Sequence, residues 1–92
     1  MTKAEEKAMR RIRFAECHKL SLEQVKRLCR LANAAHHAGE QYCSIDRPGL
    51  EAKLDKAQAS FEKAAQACGF GAEWPGLWPL LTKDGREVHL PE

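Results

Sequence analysis

The chain has 92 residues, of which 43% are hydrophobic and 30% charged, with a formal charge of +2. This length permits one small domain, residues 1–92, with a net stability of about 5 kcal/mol, and the composition excludes a disordered or fibrous polymer. Its apolar runs are too short to cross a bilayer, which excludes a membrane-spanning function, and its charge falls short of the footprint of a dedicated nucleic-acid-binding domain.

The charge is unevenly distributed. Residues 1–31 hold nine Lys/Arg against four Glu, while the remainder holds six against nine acids. The positive field therefore belongs to the front of the chain and favours an acidic partner or nucleic acid. The N-terminus is polar where a signal peptide needs an apolar segment, so a reducing cytoplasm and free thiols are expected.

Thr2 with Glu5 matches a capping box, and the first helix is expected to start near Lys3. Ala4, Ala8, Ile12 and Ala15, flanked by Met9 and Leu20, form a narrow apolar stripe and a modest core face. Roughly opposite lie Lys3, Lys7, Arg10 and Phe14. An aromatic among three cations either stacks on a base or fills a partner's pocket, or another part of the domain covers it.

Ser21 with Gln24 is a second capping box, and Leu20 with Val25 has the spacing of a hydrophobic staple. A long second helix follows, with Leu22, Val25, Cys29, Ala32, His36, Gly39 and Cys43 on one side. Its polar side carries Lys26, Arg30, Asn33 and His37. Gly39 reads as an interior residue that permits close approach, because the repeat continues beyond it to Cys43. Ser44 to Gly49 is a turn, with Ser44 or Asp46 as cap and Pro48 in the first turn of the next helix.

The third helix, to Cys68, places Leu50, Leu54, Ala57, Phe61, Ala64 and Cys68 on one side. Gly69 should end it in a Schellman motif that folds Phe70 back on Ala65. Antiparallel pairing sets Gly39 against Leu54 and Ala32 against Phe61, small against large, as close packing demands. The same heptads can instead zip between two copies, giving a homodimer. Asp84-Gly85 is a strong hairpin turn; it sets Lys83 against Arg86, Thr82 against Glu87, Leu81 against Val88 and Leu80 against His89. Ahead of it, Trp74 to Pro79 forms a tight aromatic turn whose two tryptophans either anchor a partner or wedge the hairpin onto the helices. The expected fold is mainly α: three helices, a central αα-hairpin (about 22–43 and 48–68) and a C-terminal β-hairpin (about 77–83 and 86–90).

Cys17, Cys29, Cys43 and Cys68 with His18, His36, His37 and His89 invite a metal reading. No Cys-x-x-Cys pair occurs, and Cys29 and His36 lie two helical turns apart, about 10 Å, too far to share one zinc. A metal-binding helical module is thus an alternative only if the site assembles across the hairpin; otherwise the cysteines act as small hydrophobes and no metal or cofactor is expected. No phosphate-cradling glycine loop, nucleophile elbow or carboxylate pair is visible, and the adjacent Cys17 and His18 point in different directions on a helix. Catalysis is not expected.

A small chain with a helical hairpin, a basic front and no catalytic signature resembles in type the accessory and inhibitor proteins of phages and mobile elements, including anti-CRISPR proteins. The resemblance implies a macromolecular partner and assigns no residue roles. From the residues themselves, the expectation is a non-enzymatic protein-binding chain that docks through Lys7, Arg10, Phe14, Lys26 and Arg30, or through Trp74 and Trp78. Direct nucleic-acid binding by the basic face is the alternative.

Overall fold

Three helices are followed by three short strands: α1 Lys3–His18, α2 Leu22–Ser44, α3 Leu50–Ala67, β1 Gly71–Glu73, β2 Leu80–Lys83 and β3 Arg86–Val88. The computed structural model describes residues 2–44 and 47–91. No described helix is long and apolar enough to cross a membrane.

Local chemistry accounts for most element ends. The Thr2 hydroxyl oxygen accepts from the Glu5 amide at 3.2 Å and starts α1. At α2 the capping box is reciprocal: the Ser21 amide donates to Gln24 Oε1 at 2.8 Å, and the Gln24 amide donates to Ser21 Oγ at 3.1 Å. Two of the four orphan donors of a helix start are thereby satisfied. At the end of α3, Gly69 is left-handed (φ 85°), its amide donates to the Gln66 carbonyl at 3.0 Å, and the Phe70 amide donates to the Ala65 carbonyl at 2.9 Å. These are the two bonds of the Schellman motif. The end of α1 uses the same device without glycine: Lys19 has φ 56°, and the Leu20 amide donates to the Ala15 carbonyl at 2.9 Å.

The turn between α2 and α3 differs from expectation. Pro48 precedes α3 instead of opening it, because Gly49 adopts φ 89° and interrupts the helical path before Leu50. Ser44 is the last residue of α2. Ile45 and the expected cap at Asp46 lie outside the described residues.

Three of the expected hairpin pairs form, Leu81↔Val88, Thr82↔Glu87 and Lys83↔Arg86, while the expected pair of Leu80 with His89 does not, because β3 ends at Val88. Asp84 (φ 53°) and Gly85 (φ 76°) form the turn, both left-handed as a type I′ hairpin requires. The strands are shorter than expected. Pro79 has no amide to donate, so β2 starts at Leu80, and after Val88 the chain leaves the sheet to bury Leu90 in the core. A third strand, β1, pairs antiparallel with β2 through Gly71↔Thr82, Ala72↔Leu81 and Glu73↔Leu80, giving the order β1-β2-β3. Its sequence, Gly-Ala-Glu, has low strand propensity; the neighbouring strand imposes the conformation.

The core is where α2, α3 and β2 meet. Phe61, Leu28, Leu81, Val25 and Cys29 are fully buried, and Phe14, Ala15, Phe70 and Leu90 close around them. Each large side chain contributes about 1.5–3 kcal/mol by leaving water. Gly39 is buried inside α2 as expected, and Leu54 Cδ1 lies 3.8 Å from where its β-carbon would stand. The closest approach there comes from the aromatic turn, since Leu77 Cδ2 would lie only 2.9 Å from that β-carbon. The α2 and α3 heptads are thus packed against each other within the chain, as the small-against-large pairing predicts.

The apolar stripe of α1 does not form a core face. Ala4 and Ala8 are exposed, Met9 is 39% and Ile12 43% exposed, and only Ala15 and half-buried Leu20 join the core. The inward side is instead set by Phe14 and Ala15 with half-buried Arg11 and His18. Among the described residues α1 is buried only in its last turns, at Phe14 and Ala15, and its first turns are exposed.

Candidate functional site

Exposed cations lie on α1 and α2. On α1, every residue from Lys3 to Arg13 is exposed except half-buried Arg11, and this stretch presents Lys3, Lys7, Arg10 and Arg13 against Glu5 and Glu6. Arg10 makes an i,i+4 pair with Glu6 at 3.8 Å, both side chains about half exposed; such a pair stabilises by only about 0.3–0.5 kcal/mol and leaves the field positive. On α2, Lys26, Arg30 and His37 are exposed along one line, with Asn33 half-buried between them.

Phe14 does not belong to this surface. It is 9% exposed, with its ring centroid 4.5 Å from that of His18 and 6.3 Å from that of Phe70. The Schellman turn after α3 delivers Phe70 to that position, so the aromatic among the cations is covered from within the domain. The His18 ring also meets Phe70 edge-on at 5.3 Å, and burial, followed by the nearby Lys83 ammonium, holds its pKa below the usual imidazole value.

The two tryptophans are also engaged internally. Trp74 Nε1 donates to Glu62 Oε1 at 2.8 Å, and its ring meets Phe61 edge-on at 5.6 Å. Trp78 meets His36 edge-on at 5.6 Å. Both are half-buried and fasten the aromatic turn, Trp74 to α3 and Trp78 to α2. The turn shows Pro75, Gly76 and Leu77 to solvent, Leu77 at 38%. Beneath it His36 faces Glu40 through Nε2 at 2.5 Å, while its Nδ1 is buried without a partner.

A feature the sequence reading missed is a groove of about 580 Å³ between the N-terminal half of α2 and the C-terminal half of α3. Gln24, Arg27, Leu28 and Leu31 line it from α2, and Ser60, Lys63, Ala64, Ala67 and Cys68 from α3. The signal was a second helical stripe on each helix, beside the core stripe, that becomes a shared wall once the two are set antiparallel. Cys68 is half-buried at one end, and burial pushes its thiol pKa up against the opposing pull of Arg27.

The four cysteines are dispersed: Cys17 and Cys43 are exposed, Cys29 is fully buried, and Cys68 is at the groove. Cys29 Sγ donates to the Pro91 carbonyl at 3.5 Å. Among the described residues no group of three or more His, Cys, Asp or Glu side chains is placed to hold a metal ion. No family model matches the chain, and no curated protein or solved structure is significantly similar to it.

Proposed function

We propose that this chain is a non-enzymatic binding protein that docks on an acidic macromolecular partner, a protein or a protein–nucleic acid complex, through the positive outer surface of α1 and the first half of α2. The observation that carries the reading is the exposure of α1. A helix that presents Lys3, Lys7 and Arg13, with Arg10 paired to Glu6 beside them, along turns that bury almost nothing contributes little to the core, and its cations face solvent. Lys26 and Arg30 extend the cationic surface on α2.

Affinity capture from the cell extract, quantified against a charge-matched control, tests the reading. The Arg10→Glu/Arg30→Glu double reversal is expected to lose the partners that the wild type retains, while reversal of exposed Lys56 and Lys53 on α3 leaves them. Equal recovery by both double reversals removes the basic surface from the reading.

Direct nucleic-acid binding is the second reading, favoured by the exposed cations at helical spacing on α1 and α2. With Phe14 buried, it rests on phosphate contacts without an aromatic stacking platform. It therefore requires an affinity for DNA or RNA that falls steeply with salt and shows little sequence preference. A flat salt response excludes it. A phage or mobile-element inhibitor role, anti-CRISPR-type roles included, would be one use of either surface, and its partner would be the nucleoprotein complex that the capture experiment retains.

A further inference from the structure

We propose that the groove between α2 and α3 is a binding site for an alkyl carboxylate, with the carboxylate held by Arg27 and Lys63 and the hydrocarbon chain laid along Leu31, Ala64 and Ala67. The site is separate from the Arg10 and Arg30 surface and does not depend on its role.

The floor is apolar for a structural reason. Leu28 is fully buried in the core, Leu31 and Ala64 are half-buried beside it, and the short side chains of Ala64 and Ala67 leave α3 too thin to fill the space between the helices. The volume of about 580 Å³ falls within the range of small-molecule sites, about 300–1,000 Å³. The lining runs from Gln24 to Leu31 on α2 and from Ser60 to Cys68 on α3, a length of about 11 Å at the helical rise of 1.5 Å per residue. That accommodates a chain of medium length lying parallel to the helices.

The rim selects the sign of the head group. One cation comes from each helix, Arg27 and Lys63; both are exposed, and no carboxylate lines the groove among the described residues. Gln24 spends its carbonyl oxygen on the Ser21 amide, so what it still offers is its NH₂ donors; Ser60 adds a hydroxyl. Donors thus surround an apolar floor without a competing internal anion. A guanidinium presents the fork that matches a carboxylate, and the Lys63 ammonium from the other helix adds a point charge. An alkylammonium would meet two like charges over the same floor. The Cys68 thiol, half-buried at the end of the groove, adds a soft neutral wall and no negative charge at neutral pH.

Amide NMR titration of the full chain tests the site with three probes: decanoate below its micelle concentration, decylammonium, which has the same tail and the opposite head, and acetate, which has the head alone. Saturable shifts clustered on residues 24–31 and 60–68 are expected with decanoate only. Arg27→Glu/Lys63→Glu, two exposed positions that leave the core intact, should weaken decanoate by about tenfold or more, and Ala67→Trp should block it by filling the groove. The same spectra report whether each variant is folded. Equal binding of decylammonium, equal binding of acetate, shifts centred elsewhere, or full affinity in the folded double reversal would each overturn the proposal.

Discussion

Gly71 and Thr82 face each other across the β1–β2 pair so closely that a β-carbon on the glycine would lie 2.6 Å from the threonine hydroxyl oxygen. Gly71 does not use a left-handed backbone, so space alone selects glycine here. Gly71→Ala is expected to cost about 1–3 kcal/mol through overpacking. Thr82→Ala removes the obstructing oxygen, and the double variant should recover most of that loss. A double-mutant cycle by chemical denaturation measures the coupling; additive losses would mean that the strands separate without this contact.

Lys19 holds a left-handed conformation that terminates α1, a place where a side chain costs energy that glycine avoids. Lys19→Gly should stabilise the protein by about 0.5–1 kcal/mol, with Lys19→Asn intermediate and Lys19→Ala close to wild type. Thermal unfolding ranks them, and a Lys19→Gly variant less stable than Lys19→Ala contradicts the assignment of this cap.

His18 provides a pH signature. Its folded pKa is lowered by burial against Phe14 and Phe70 and by Lys83. The unfolded chain therefore takes up a proton first as pH falls through about 6.5, which favours unfolding. Wild type should lose stability relative to His18→Phe between about pH 7.5 and about pH 5.5, and the difference should be flat above that window. Carboxylates titrate in both proteins and cancel in the comparison. A constant difference across the window would place His18 in water.

Thiol accessibility reports the packing of the helices. Cys17 and Cys43 should alkylate rapidly, Cys68 more slowly because it is half-buried with a raised pKa, and Cys29 only on unfolding. Mass spectrometry of a timed iodoacetamide reaction gives the order. Early modification of Cys29 would mean that the α2–β3 end opens in the native state.

The features legible in the sequence are those decided within about six residues. Ser21 with Gln24, Gly69 with Phe70, and Asp84 with Gly85 each carry their structural cause beside them, and each took the expected conformation. The features that escaped depend on partners distant in sequence. Gly71 to Glu73 becomes a strand because β2 is there to pair with it. The stripe of Ala4, Ala8 and Ile12 has the periodicity of a core face, but periodicity does not say whether the body reaches that far. Phe14 and the tryptophans had two readings each, and only the positions of Phe70, Glu62 and His36 decide between them. The groove at Arg27 and Lys63 required the register of two helices at once.

In the docking proposed for α1, the exposed turns make the helix–coil equilibrium of residues 3–13 part of the affinity. A segment of this length is marginally helical without tertiary support, so its order rests on the Thr2 cap and on attachment at Phe14 and Ala15. A partner that grips these turns must supply the ordering free energy. Ala4→Gly, which removes only a methyl group, should therefore weaken the proposed binding by shifting the free helix toward coil, by about 1 kcal/mol, and affinity becomes adjustable from the cap.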